Sequence, residues 1–347
     1  MNIKIHILDV KDGDAIILEL SKDDKNLVMV IDGGKTSYYT EKMKPKLKEI
    51  LKANNKQAPD IIVCTHYDSD HIGGLIPLIE DYIADIREVW IHRTPDLINT
   101  YINKSNLLLE QKSKNVGNLA WNNFINLFES RPEKQKLDQN AMFLIESLPQ
   151  LKRIVDLIPE KKLKQIYHGQ TPLNDWKEIK VLGPTKDYYN SLFPSSKTFE
   201  SFIEEEAESL LLSTRPYRQL KLSGISICDQ LKNENQTTLT STNKASIILA
   251  VDNQDKRYLF TGDAGVESFK SIPNYKMELK NLFFLKIPHH ASDNNLTKEL
   301  IELMNPIYAY SSGDKHQVDA ILQCISSKSR NIETKTTKQD GDLFFNK

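Results

Sequence analysis

The chain reads as an α/β protein, an αββα sandwich with a largely helical insertion, and three observations predict it. Short apolar runs alternate with helix-period stretches near both ends of the chain. Each strand-rich half is flanked by helical patterns, and an apolar helix stripe needs a sheet face to cover. The stretch between the halves loses the alternation and reads as mostly helical. At 347 residues with 39% hydrophobic content, the chain is long enough for a sizeable core. We read it as one domain, 1–347, with the insertion at 100–240.

In the first half, strands are predicted at 3–10, 15–20, 27–31, 61–65 and 88–91, with turn signals between them. Helical patterns fill the gaps. One covers 41–54, with Met43, Leu47, Ile50 and Leu51 at helix spacing, and another follows at 74–83. The second half repeats the alternation with strands at 245–251, 257–261, 282–287 and 307–311 and helices near 264–271, 296–304 and 317–327. No short-period repeat is evident, so any duplication is architectural. Within the insertion, 101–130 and 140–163 are helical in pattern. The segment 201–212 is amphipathic and acidic, its Glu204-Glu205-Glu206-Ala207-Glu208 run reading as a solvated face. The Asn/Gln/Thr-rich stretch 230–244 is expected to be a mobile loop.

Lys and Arg total 46 against 47 Asp and Glu, a net charge of −1, which excludes a globally basic nucleic-acid binder. Any polyanion site must be a local patch. No apolar run approaches the roughly 18 residues needed to span a bilayer, so no membrane partner is expected. Cys64, Cys228 and Cys324 are odd in number and far apart, which argues against a disulfide framework and against a C-x-x-C metal site. A reducing cytoplasm is the expected compartment.

The chemistry concentrates in Thr65-His66-Tyr67-Asp68-Ser69-Asp70-His71-Ile72-Gly73-Gly74, directly after the apolar run 61–64. Alternation off a strand end lets His66 and Asp68 point the same way. Asp70 and His71 open the next helix, and two glycines allow close backbone approach. Adjacent carboxylates need a compensating cation, and a mixed N and O donor set suits Zn²⁺, Mn²⁺ or Fe.

This segment resembles the metal-binding signature of the metallo-β-lactamase superfamily in its H-x-D-x-D-H variant. Four further motifs, in the family's order, are similar to those of the soluble hydrolase domain of ComEC-type competence proteins. They are Leu8-Asp9-Val10-Lys11-Asp12-Gly13-Asp14-Ala15, Ile31-Asp32-Gly33-Gly34, Leu259-Phe260-Thr261-Gly262-Asp263 and Leu285-Lys286-Ile287-Pro288-His289-His290-Ala291-Ser292. Ile179-Lys180-Val181-Leu182-Gly183-Pro184 looks like the family's strand before the second half.

The resemblance implies one or two Zn²⁺ or Mn²⁺ ions, His66 and Asp68 holding one, Asp70 and His71 the other, and Asp263 bridging. His289 completes the set with His290 behind it. Asp32 would orient the metal loop by hydrogen bonds without touching metal. Lys286 is expected to cap its strand on the solvent side, with steering of a phosphate as the alternative. The further histidine that binuclear members carry has no obvious counterpart. His92, at the end of a strand, and His168 are the candidates for ligation or protonation of a leaving group, and His316 follows a late strand where related hydrolases place a residue facing substrate; Asp70, His316 and His92 form the expected catalytic set.

The implied function is a metal-dependent hydrolase, foremost a phosphodiesterase or nuclease using metal-bound hydroxide on nucleic acid or a small phosphodiester. Two other readings stay open. One is a thioester or other small-ester hydrolase; the other is a metal-bearing sensor or scaffold subunit that meets a protein partner through the 100–240 insertion.

Overall fold

The structure, a computed structural model, describes residues 1–93, 96–113, 127–171, 173–213 and 226–347. Thirteen strands form two sheets among these residues. The first holds β1 (Asn2–Ile7), β2 (Ala15–Lys22), β3 (Lys25–Gly33), β4 (Ile61–Val63), β5 (Glu88–Trp90) and β6 (Leu163–Lys164). The second holds β7 (Ile179–Gly183), β8 (Ile248–Asn253), β9 (Lys256–Phe260), β10 (Phe284–Lys286), β11 (Tyr308–Ser311) and β12 (Glu333–Thr336). The last strand, β13 (Leu343–Phe345), returns to pair with β1 in the first sheet.

Each half follows one plan. Two antiparallel pairings come first, β1 with β2 and β2 with β3, then parallel pairings through β4, β5 and β6. The second sheet repeats it, antiparallel from β7 to β9 and parallel from β9 to β12. The duplication is therefore one of architecture, as the absence of a sequence repeat implied.

The strands are apolar on both faces because both faces are covered. In β3, Leu27, Met29 and Ile31 point between the sheets, where they meet Leu249, Val251, Phe260 and Phe284. Val28 and Val30 point the other way, into a layer of helices. That layer includes α1 (Lys44–Ala53), α2 (Ser69–Ile72), α3 (Leu75–Tyr82), α4 (Asp96–Ser113), α5 (Lys134–Leu157), α6 (Lys186–Leu192) and α7 (Phe199–Ser213). The short α8 (Ser241–Lys244) follows them. The outer face of the second sheet is covered by α9 (Val266–Lys270), α10 (Lys298–Met304) and α11 (Asp319–Ser326). Four layers result, the predicted αββα sandwich.

Three features of the 100–240 region bear on its expected form. Its helices α5 and α7 pack into the same apolar cluster as Val28, Val30 and Ile62, so they thicken the outer layer of the first sheet. Both β6 and β7 lie within the region, one ending each sheet; β7 falls where the strand before the second half was expected, and β6 was not foreseen. The stretch 230–244 is built into the fold: a 3₁₀ turn (Ile227–Gln230) leads into it, a second (Glu234–Gln236) and α8 run through it, and Thr240, Thr242 and Asn243 are buried. A polar composition misled there, because Thr240 and Thr242 are buried against polar partners, one against the other and Thr242 against Asp68. Part of the 101–130 helical reading, residues 114–126, lies outside the described residues.

The cysteine reading is also corrected. Cys228 and Cys324, 96 residues apart, meet as a disulfide that ties the 3₁₀ turn after residue 226 to α11. Sequence distance said nothing about that pairing, because the second-sheet layer brings the two segments together. Among the described residues no helix is long and apolar enough to cross a membrane.

Candidate metal centre

Five parallel strands, β3, β4, β9, β10 and β11, point their carboxyl ends to one edge, where open α/β sheets characteristically place ligands. The loops leaving β4, β9 and β10 carry His66 to His71, Asp263, and the pair His289 and His290. Asp32 is at the end of β3. Close backbone packing brings these turns together. A Cβ on Gly74 would stand 2.0 Å from the carbonyl oxygen of Gly33, and one on Gly13, whose φ is +124°, would stand 2.1 Å from that of Asp70. Only glycine fits either place.

The groups divide around the two oxygens of Asp263. On one side His66 Nε2 is 3.7 Å and His289 Nε2 3.6 Å from Asp263 Oδ2, and Asp68 Oδ2 is 3.8 Å from His66 Nε2. On the other, His71 Nε2 is 3.5 Å from Asp263 Oδ1, and His290 Nε2 is 3.8 Å from Asp70 Oδ2. These gaps are too long for hydrogen bonds. They are near the spacing of two ligands that each stand about 2.0–2.2 Å from one ion. Accordingly His66 Nε2, His71 Nε2, His290 Nε2 and Asp263 Oδ1 are buried with no hydrogen-bond partner. Orphaned polar atoms of this kind are costly unless something else satisfies them.

The far nitrogen of each imidazole fixes which atom faces the cluster. His71 Nδ1 meets Asp32 Oδ2 at 2.8 Å, and His290 Nδ1 meets the Ser312 carbonyl at 3.1 Å. Both partners are acceptors, so Nδ1 carries the proton. Asn295 spends its amide N–H groups on the carbonyls of Asp263 and Ala264, so its Oδ1 accepts from His289 Nδ1 at 3.0 Å. Thr65 spends its hydroxyl proton on Asp32 Oδ2, so its Oγ1 accepts from His66 Nδ1 at 3.0 Å. All four rings thus keep Nδ1–H on the outer side and turn Nε2 toward the carboxylates, the orientation a metal ligand needs. The residues present fit a divalent pair.

Without a cation, protons must balance the charge. Burial, reinforced by Asp70 and Asp263, lifts the Asp68 carboxyl to about 7. Burial lowers His66 to about 3. Burial would lower His71 too, but Asp263 and Asp32 outweigh it and hold that imidazole above its ordinary range. Protons occupy the role that a cation would take.

Supporting bonds come from residues the motifs did not single out. Thr242 Oγ1 donates to Asp68 Oδ1 at 2.9 Å, and Ser246 Oγ accepts from the Asp263 N–H at 3.1 Å. Asp14 lay in a quoted motif but carried no assigned role. It takes the Lys286 ammonium at 2.7 Å and the Ser312 hydroxyl, clipping the first half of the chain to the second. Thr242 and Ser312 gave no sequence signal, since an isolated hydroxyl carries no pattern.

Of the expected residues, His66, Asp68, Asp70, His71, Asp263 and His289 meet at this edge. His290 stands in the cluster itself, its Nε2 beside Asp70, and not behind His289. Lys286 is corrected outright. It is fully buried, because its strand lies in the middle of the second sheet and its charge is spent on Asp14, so it neither caps a solvent face nor reaches a phosphate. His316 stands beside His289, ring centroids 4.8 Å apart, and burial with the neighbouring imidazoles lowers it to about 3. His92 is not brought to the cluster. Its Nε2 donates to the Ile166 carbonyl at 2.7 Å and its ring lies against Tyr167 and Tyr189, an aromatic packing role. His168 is likewise held elsewhere, by the Leu182 carbonyl.

Above the cluster lies a cavity of about 320 Å³, lined by Asp68, Asp70, Asp263, His289, His316 and Lys315 among others.

Residues 8–103 match the family model of the metallo-beta-lactamase superfamily. The matched stretch includes the His66 to His71 loop and ends well before Asp263 and the histidine pair. Among solved structures the chain is similar to the metallo-beta-lactamase fold protein YhfI from Bacillus subtilis, at 10% identity over 100% of both chains and a TM-score of 0.45. That likeness is too distant to bear on function. No curated protein matches the chain. The family match and the His/Asp cluster together support a metal-dependent hydrolase.

Proposed function

We propose that the protein is a metal-dependent phosphodiesterase acting on nucleic acid or a small phosphodiester. The observation that carries it is the set of four Nε2 lone pairs and three carboxylates divided around Asp263. In this reading His66, Asp68 and His289 would hold one ion and Asp70, His71 and His290 the other, with Asp263 between them. When bound, Zn²⁺ or Mn²⁺ supplies Lewis acidity and an activated water. Two divalent ions against three carboxylates leave one net positive charge, which suits the single negative charge of a diester. Carboxylates in place of further imidazoles also harden the site toward Mn²⁺.

The chain's own residues then orient and exclude. Asp32 and Thr65 hold the metal loop, and Thr242 fixes the second oxygen of Asp68. His316, which lines the cavity beside His289, would hydrogen-bond a leaving oxygen in this reading. Resemblance to the soluble hydrolase domain of ComEC-type proteins supports the nucleic-acid branch of this reading.

The test is elemental analysis of tag-free protein followed by assays on a phosphodiester reporter, nucleic acids and a thioester and ester panel with Zn²⁺, Mn²⁺ and Mg²⁺. We expect about one to two metal equivalents and Mn²⁺-stimulated diester cleavage that Asp70→Ala and His71→Ala abolish while circular dichroism is unchanged. Thioester turnover without diester cleavage would move the protein to the small-ester class.

A further inference from the structure

We infer that the cavity over the cluster is a subsite for one nucleotide of the substrate, with Phe143 as the platform for its base and Lys315 as the cation for its phosphate. This rests on the phosphodiesterase reading and narrows it.

The cavity is chemically two-sided. Its floor is Asp68, Asp70, Asp263 and His289. One wall comes from the loops after β1, β3 and β11 and carries Asp12, Lys35 and Lys315. Lys35 is paired with Asp12 at 3.3 Å. The remaining positive charge of that wall is Lys315, whose backbone N–H is pinned by Asp12 Oδ1 at 2.9 Å while no carboxylate pairs with its ammonium among the described residues.

The helical layer contributes lining with no charged side chain: Gln139, Asn140 and Phe143 from α5, and Leu210 from α7. Positions 139, 140 and 143 share one helix face. The apolar stripe that α5 buries runs through Leu137, Ala141, Leu144, Ile145 and Leu148, and Phe143 stands off it, 39% exposed. A single exposed aromatic is ordinary on a protein surface. This one lines the cavity over the cluster. Asn243, whose Oδ1 is buried without a partner, lines the same cavity and offers an acceptor to a ligand N–H.

With divalent ions held by the floor carboxylates, an anionic group would suit the floor and Lys315, and a planar apolar group with an N–H edge would suit Phe143 and Asn243. A nucleotide has both. A neutral ester or lactam uses neither charge nor platform. Ligand sites run about 300–1,000 Å³, so a cavity of about 320 Å³ takes one nucleotide unit. A duplex, whose major groove alone is about 12 Å wide, does not enter. The shared chemistry is a nucleoside phosphate, supplied either free as a small nucleotide or as the unpaired end of a strand.

The test has a binding arm and a turnover arm. Calorimetry on the metal-loaded protein compares adenosine 5′-monophosphate with ribose 5-phosphate. We expect the nucleotide to bind roughly tenfold tighter, as one base–aromatic stack allows, Phe143→Ala to erase that preference and Phe143→Trp to keep it. Lys315→Ala should weaken both ligands and lower the salt dependence of binding. In turnover, a single-stranded oligonucleotide should be cut in preference to a blunt duplex, and a faster dinucleotide than oligonucleotide would identify the free source. Equal binding of the two phosphates, or a base preference that survives Phe143→Ala in folded protein, overturns the subsite. Nucleotide binding that depends on Phe143 with no diester cleavage would leave the subsite standing and remove the phosphodiesterase reading. Cleavage indifferent to base or strandedness would do the reverse.

Discussion

The hydroxyl of Thr242 donates to Asp68 Oδ1 at 2.9 Å, joining residues 174 apart in sequence. It holds one oxygen of Asp68 so that the other faces His66. Thr242→Val keeps the shape and removes the bond. Since outer hydrogen bonds of this kind are worth about 10- to 100-fold in metal affinity, chelator competition should show a loss of that order with thermal unfolding little changed. Unaltered affinity would show that Asp68 is positioned by other means.

Asp32 accepts from the Thr65 N–H, the Thr65 hydroxyl and His71 Nδ1, all within a fully buried environment. Asp32→Asn would turn one oxygen into a donor that opposes an existing N–H or O–H. The backbone is not the obstacle, because φ at this position is 55° and asparagine adopts that region readily. We expect about 1–3 kcal/mol of lost stability from the unsatisfied group, read by urea unfolding, together with weaker metal binding. A variant that retains both full stability and full metal content would refute this account of the loop.

His289, His290 and Ala291 all have positive φ, at 45°, 57° and 66°. Three consecutive left-handed non-glycine residues are strained, at about 1–3 kcal/mol each, and the resemblance's own motif has glycine where Ala291 stands. Ala291→Gly relieves strain but loses a buried methyl and adds freedom to the unfolded chain, so its stability should stay within about 1 kcal/mol. Ala291→Val should cost at least about 2 kcal/mol, since it is β-branched in a disfavoured region and overfills a buried site. Denaturation midpoints of the two variants check this; equal values would contradict it.

Glu206, from the acidic run expected to be solvated, is buried and accepts the Ser241 N–H with both oxygens, at 3.0 and 2.8 Å. Burial raises its carboxyl from 4.5 to about 7, against the pull of the Ser241 bonds and of Lys197 and Lys244. Between those two values the folded state holds a proton that the unfolded chain has released. Stability from this group is therefore fully present at acid pH and falls as pH rises through about 7. The difference reaches about 3 kcal/mol at alkaline pH. Glu206→Gln should flatten the stability profile from pH 5 to 8 and raise its alkaline end. Calorimetric unfolding across that range would oppose the assignment if the two profiles run parallel.

Much of the scaffold was legible in sequence because its signals are local. Alternation over two residues predicted β1 to β5 and β8 to β11, and four ligands of the candidate centre sit within six positions after β4. β6 was missed because two residues carry no period, and β12 because Glu333-Thr334-Lys335-Thr336 has no apolar residue to alternate. Cys228 with Cys324, Lys286 with Asp14 and Thr242 with Asp68 went unread for another reason. Each joins segments far apart in sequence, and no spacing rule reaches across 96, 272 or 174 residues.

Residue type and spacing alone determined that His66, Asp68, Asp70 and His71 can converge on a small volume, because a strand end and the first turn of a helix fix their directions. Which nitrogen each histidine presents, that His290 stands in the cluster beside Asp70, and that Lys286 is spent inside the fold were decided only by the tertiary structure. Hydrogen-bond acceptors fix a tautomer, and burial decides whether a charge can reach a ligand. Both depend on what two sheets and their helices bring together.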